Sequence, residues 1–110
     1  MTLIANGSIT TPAGYSAAGI ACGIKASGKP DVAIILSDRP ATVAAAFTAN
    51  RIVAAPVVHG RELLDRCDTI RAVVVNSGNA NACTGVPGIE DARTMAKAVA
   101  ATLDLRQREV

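Results

Sequence analysis

The stretch of this chain best suited to chemistry is Asn76-Ser77-Gly78-Asn79-Ala80-Asn81-Ala82-Cys83-Thr84-Gly85. Three asparagines within six residues each offer a donor and an acceptor, and Asn tolerates left-handed backbone. Small residues between them let a ligand approach the main chain. Asn76, Ser77, Gly78, Asn79 and Asn81 are therefore the candidate groups for holding a small polar substrate. The same composition also suits a loop that satisfies its own hydrogen bonds through Asx turns. The run matches neither the dinucleotide glycine fingerprint nor a phosphate-binding P-loop.

Other reactive side chains are sparse. His59 is the only histidine, which excludes multi-histidine metal sites and makes it the base that Ser77 or Cys83 would need as a nucleophile. No nucleophile elbow or cysteine-protease signature accompanies that pair, and a lone histidine also serves as a packing or surface residue. Thr2 would carry amine and hydroxyl on one residue after loss of Met1, but ordinary processing leaves the same end. Lys25 and Lys29 flank the small residues of GIKASGKP and suit either an anionic substrate or solvent beside a turn. No catalytic residue, metal ligand or cofactor site is assigned.

Elements that must position the asparagine loop can be read on either side of it. Ile70 to Val75, with Val73, Val74 and Val75, is a β-branched run that prefers a strand. Beyond Pro87 and Gly88, the spacing of Ala92, Met95, Val99 and Leu103 predicts a helix from about Ile89 to Leu103, with Glu90 and Asp91 in its first turn. The loop thus lies between strand and helix, where α/β proteins often place ligand loops. Upstream, the apolar run Val32 to Leu36 suits a strand covered on both faces. Ser37, Asp38, Arg39 and Pro40 read as a turn, and Thr42 to Thr48 as a strand returning to form an antiparallel hairpin. Ala54 to Val58 reads as extended, Gly60 to Arg66 as one or two helical turns, and the first thirty residues as short strands and turns. Nothing divides the chain, so 1–110 is expected to be a single unit.

Composition narrows the class. A chain of 110 residues buries roughly 65% of its unfolded surface, enough for a core. At 50% hydrophobic and 2% aromatic, that core is built of Ala, Val, Ile and Leu in thin layers, which suit either a small domain or one completed by a neighbour. Net charge is +2 with both signs interspersed, and Tyr15 and Phe47 are the only Phe, Tyr or Trp rings. Without a basic stripe or stacking platform, nucleic acid is not an expected partner. Cys22, Cys67 and Cys83 are odd in number and form no C-x-x-C pair, which points to a reducing, cytoplasmic setting. No apolar run reaches the about 20 residues of a membrane span, and no signal-peptide layout is present.

Three blocks, in order, carry a resemblance: PAGYSAAGIACGIKASGKPD (Pro12 to Asp31), AAFTANRIVAAPV (Ala45 to Val57) and VVVNSGNANACTG (Val73 to Gly85). Together they are similar to the ornithine acetyltransferase (ArgJ) family, from about Pro12 onward. The resemblance implies an α+β, DmpA/ArgJ-like fold related to N-terminal nucleophile hydrolases. It further implies a precursor that cleaves itself into amino- and carboxy-terminal chains. A new N-terminal Thr then takes the acetyl group of N-acetylornithine and passes it to glutamate in arginine biosynthesis. Some members also use acetyl-CoA.

By the same resemblance, the oxyanion donors, the cleavage point and the nucleophile fall beyond Val110. The chain is accordingly expected to be the amino-terminal part of the alpha chain, inactive alone, partnered by the carboxy-terminal beta chain in an assembly of two alpha and two beta chains. The asparagine loop would support or line the active site. Two other readings stand beside this one: a self-processing aminopeptidase of the same fold, and a stand-alone domain that binds a small polar ligand through Asn76 to Asn81.

Overall fold

The computed structural model describes residues 3–110, so Thr2 lies outside the described residues. In chain order the elements are β1 (Tyr15–Ile20), β2 (Val32–Thr42), α1 (Ala55–Leu64), β3 (Thr69–Asn76) and α2 (Gly85–Thr102), followed by a 3-10 turn at Gln107–Glu109. The strands form one antiparallel sheet in the order β1-β2-β3.

Register assigns each residue to a face. Ile34 and Leu36 of β2 stand opposite Val74 and Ala72 of β3, and this set turns toward α2. There the core gathers Ala72, Ala96, Val99, Ala100 and Val110, with Ile34, Leu36, Val74, Leu103 and Leu105 against it. Alanine at Ala72, Ala96 and Ala100, each 2–3% exposed, lets helix and sheet approach closely. Low aromatic content therefore goes with a thin layer. The spacing of Ala92, Met95, Val99 and Leu103 marks the inward face of α2 correctly: Ala92 and Val99 are buried, Met95 and Leu103 half-buried.

The other face carries Ala17, Ile35 and Val73 in one cross-strand row and Gly19, Ala33 and Val75 in the next. Val73 and Val75 are 41% and 49% exposed. For Val32 to Leu36, expected to be covered on both faces, the described residues supply a helical layer on one side only, and Ala33 on the other side is exposed.

Ser37 to Pro40 does not turn the chain back. β2 runs on through these residues as a wide bulge, with pairing resuming at Ala41 opposite Ile70 after Leu36 opposite Ala72. Arg71 makes this possible: its guanidinium donates to the Ser37 carbonyl at 3.0 and 3.2 Å and to the Asp38 carbonyl at 3.0 Å. Those acceptors would otherwise lack ladder partners. Pro40, which has no N–H to give, sits where the ladder is interrupted. The expected hairpin between Val32–Leu36 and Thr42–Thr48 does not form, since both edges of β2 are taken by β1 and β3. After Thr42, Val43 donates once more to Asp68 at 3.0 Å, and the chain then runs irregularly to Ala54.

Residues 55–58, expected to be extended, open α1 instead. Pro56 lies in the first helical turn, where its fixed φ fits and its missing N–H costs nothing. Gly60 admits the Phe47 ring, for a Cβ there would sit 3.2 Å from a ring carbon. Arg61 lies over the same ring at 5.7 Å and also donates to the Thr48 carbonyl. These contacts pin the irregular segment on α1. The second helix begins a turn earlier than its apolar spacing predicts, taking Pro87 into its first turn, so Glu90 and Asp91 fall beyond that turn.

Candidate functional site

Asp31, just ahead of β2 and only 3% exposed, organises the neighbourhood of the asparagine loop. Its carboxylate accepts from the amides of Cys22 (2.7 Å), Ile24 (2.7 Å) and Lys25 (2.9 Å), while its own amide donates to Ile20 at 2.9 Å. These amide bonds, Cys22 foremost, hold the Asp31 carboxyl below the usual carboxylate range despite opposing desolvation. The Asp31 carbonyl accepts from the Ser77 amide at 2.8 Å. One residue thus fastens the Gly- and Ser-rich segment and the asparagine loop together. Sequence reasoning did not single out Asp31; the available signal was an acidic residue closing a stretch of small residues directly before an apolar strand.

The loop itself is held from several sides. Gly78 has φ +106°, and a Cβ there would lie 2.8 Å from Lys25 Cγ and 3.1 Å from Ile24 Cγ2. Only glycine meets both the conformation and the space. Lys25 is itself tied down by donating from Nζ to the Pro30 carbonyl at 3.0 Å. Asn76 donates from Nδ2 to Asn79 Oδ1, joining the end of β3 to the loop. Asn81 donates from Nδ2 to the Gly88 carbonyl at 2.7 Å and accepts from the Thr84 hydroxyl, while its carbonyl takes the Ala55 amide at 3.0 Å. It therefore clamps the start of α2 and reaches the first turn of α1. Gly88 is buried under this clamp, and a Cβ there would collide with Thr84 Oγ1 and Asn81 Oδ1.

Asn76, Asn79 and Asn81 meet along one open cleft of about 420 Å³ between the sheet and α2. Val32, Ile34 and Val74 form its apolar floor, and Asp91, Met95 and Val99 form the α2 wall. Such a mix, mostly apolar with a few convergent polar groups, is what small-molecule sites have in common. Ser77 and Gly78 do not border the cleft; they shape the backbone beside it. Asp91 is a cleft residue that sequence reasoning placed only in a helix turn. Asn76 and Asn79 join their side chains to one another, and among the described residues the Asn76 Oδ1 and the Asn79 Nδ2 have no hydrogen-bond partner.

His59 borders neither Ser77 nor Cys83. It lines a separate cleft with Cys67 between α1, α2 and the 3-10 turn. All three cysteines are free. Among the described residues, no group of three His, Cys, Asp or Glu side chains is placed to hold a metal. Among the described residues, no helix is long and apolar enough to cross a membrane.

A three-stranded antiparallel sheet with helices on one face, and a polar loop fixed at the strand–helix junction, defines an α+β protein of the DmpA/ArgJ-like fold class. Two solved structures share it. The arginine biosynthesis bifunctional protein argJ of Bacillus halodurans superposes with a TM-score of 0.90 at 39% identity, over 94% of this chain and 54% of that one. Ornithine acetyltransferase of Mycobacterium tuberculosis, solved with ornithine, superposes at 0.86 and 45% identity, over 93% and 55%. The ArgJ family pattern matches residues 16–110, and the chain belongs to that family. Arginine biosynthesis bifunctional protein ArgJ of Caldanaerobacter subterraneus subsp. tengcongensis is 49% identical over 107 residues, covering 97% of this chain and 26% of the relative. Its counterpart in Rhodopirellula baltica is 50% identical over 99 residues, covering 90% and 24%. The chain spans about a quarter of the length of these relatives.

Proposed function

We propose that this chain is the amino-terminal unit of an acetyltransferase of arginine biosynthesis, which moves an acetyl group from N-acetylornithine to glutamate. The observation that carries the reading is the family match over residues 16–110, together with a solved relative that binds ornithine. A covalent mechanism by an N-terminal Thr, with acetyl-CoA as a further donor in bifunctional members, comes with the family resemblance; that nucleophile is absent from this chain. The chain's own part is to supply the loop of Asn76, Ser77, Gly78, Asn79 and Asn81, which brings its three asparagines to the substrate cleft. Asn79 and Asn76 would touch a polar substrate through their unpartnered amide atoms, and Asn81, Ser77 and Gly78 would hold the loop in shape. Residues 1–110 act as one unit, in the cytoplasm.

Its partner is the carboxy-terminal chain of the same precursor, in an assembly of two of each. The exposed Val73 and Val75, on the sheet face away from α2, support a polypeptide partner, since water-exposed apolar patches commonly mark interfaces.

The test is a coupled assay on the protein that carries this chain together with the remaining length of its relatives. Acetyl transfer from N-acetylornithine to glutamate is expected. Peptide hydrolysis without acetyl transfer would replace this reading with that of an aminopeptidase. Asn79→Ala is expected to lower kcat/KM at least tenfold with the melting temperature unchanged; parallel loss of both would make the loop a structural element alone.

A further inference from the structure

A second cleft, of about 530 Å³, opens between α1, α2 and the 3-10 turn and shares no lining residue with the asparagine cleft. Its wall carries three guanidiniums, those of Arg66, Arg93 and Arg108, against one carboxylate, Glu62. Three positive charges less one negative leave an excess of two.

Only Arg93 has an ionic partner among the described residues, donating to Glu62 at 2.8 Å. Among the described residues Arg66 and Arg108 make no side-chain hydrogen bond, and both also border a smaller adjoining cleft of about 130 Å³. Glu62 sits below the usual carboxylate range, first because of its bond to Arg93 and then through the fields of Arg93, Arg66 and His59. Its charge is thus spoken for. His59 adds an independent sign: its Nε2 is buried and has no hydrogen-bond partner among the described residues. A buried nitrogen left without a partner is rare, and here it lies on a residue that borders the cleft.

We infer that this cleft binds a small doubly charged oxyanion group, a phosphate monoester or a dicarboxylate, held by Arg66 and Arg108 with Arg93 and His59 at its side. Guanidiniums present paired donors that match carboxylate and phosphate oxygens. A divalent group balances the excess charge. The cleft volume leaves room for an organic body behind the anionic group. The site is separate from the asparagine cleft and does not depend on the proposed acetyl transfer.

Calorimetric titration of the whole protein with inorganic phosphate, and separately with succinate, at ionic strength fixed with chloride, tests this. Saturable binding of one anion is expected: phosphate identifies a phosphate-bearing ligand, succinate a dicarboxylate. The double variant Arg66→Gln/Arg108→Gln should weaken binding at least tenfold, whereas Lys97→Gln, which borders neither cleft, should change it less than twofold. Should the double variant fail to fold, Arg108→Lys keeps the charge but loses the paired donors and should weaken binding severalfold. Absence of saturable binding by either anion, or unchanged affinity in a folded Arg66 and Arg108 variant, would overturn the proposal.

Discussion

The carbonyl of Asp31 accepts the Ser77 amide at 2.8 Å, while its carboxylate gathers the amides of Cys22, Ile24 and Lys25. Forty-six residues apart in sequence, Asp31 and Ser77 together set the position of the loop that borders the cleft. Asp31→Asn keeps the size but replaces one acceptor oxygen by a donor group that faces amides. The variant is expected to melt several degrees lower and to speed hydrogen exchange at Ile24, Lys25 and Ser77. Unchanged exchange at Ser77 would show that the two segments are not coupled through Asp31.

Gly78→Ala tests the same junction from the loop side. With φ at +106° and Lys25 Cγ 2.8 Å from the would-be Cβ, strain and collision act together. A loss on the order of 1–3 kcal/mol in unfolding free energy is expected by denaturant titration. Gly23, also at positive φ but with nothing within 4 Å of its would-be Cβ, should lose less on the same substitution, since only the conformational part remains.

Asn81→Ala separates clamping from substrate contact. It removes the bond to the Gly88 carbonyl and the acceptor of the Thr84 hydroxyl, so stability should fall by about 1–2 kcal/mol. Asn79→Ala removes one exposed bond and should leave the melting temperature unchanged. Equal melting temperatures for the two variants would contradict the division of roles.

The alanine layer leaves no room for larger side chains. Ala96→Leu is expected to destabilise by about 1–3 kcal/mol, because Ala96 is 3% exposed against a sheet that carries Ala72 opposite it in the core. Ala101→Leu, on the exposed side of α2, should change stability little. Similar unfolding midpoints would mean that the layer is loosely packed.

Acid should loosen the 3-10 turn. Glu109 accepts from the Arg106 guanidinium and the Arg106 amide, both at 2.8 Å, and these hold its carboxyl down at about 2 from an ordinary 4.5. A depressed carboxyl stabilises the fold above its unfolded value. That contribution is lost as pH falls from about 4.5 toward about 2. In Arg106→Gln the largest cause of the depression is gone, so the difference in melting temperature from the parent should be present at pH 6 and shrink toward pH 2. A difference independent of pH would rule out Glu109 as its source.

Much of the local plan was legible in the residue pattern. The apolar spacing from Ala92 to Leu103 marked a helix and its inward face, the Val73 to Val75 run marked a strand, and the order of three short blocks marked the family. Each depends on neighbours within a turn or a pleat, or on residues read one after another. What only the tertiary structure decided lies in contacts between distant residues. Arg71 turns Ser37 to Pro40 from a chain reversal into a bulge by supplying donors from 33 and 34 residues away. Residues 55–58, read as extended from sequence, become the start of a helix that packs against α2 and holds the Phe47 ring at Gly60. Asp31, given no role by the sequence pattern, becomes the fastening of two loops once the sheet brings Ser77 alongside. The division of the asparagines, with Asn81 clamping α2 and Asn79 left to face the cleft, follows from which backbone groups lie within reach. A local pattern carries no information about that reach, because it is fixed only when β2, β3 and α2 have packed.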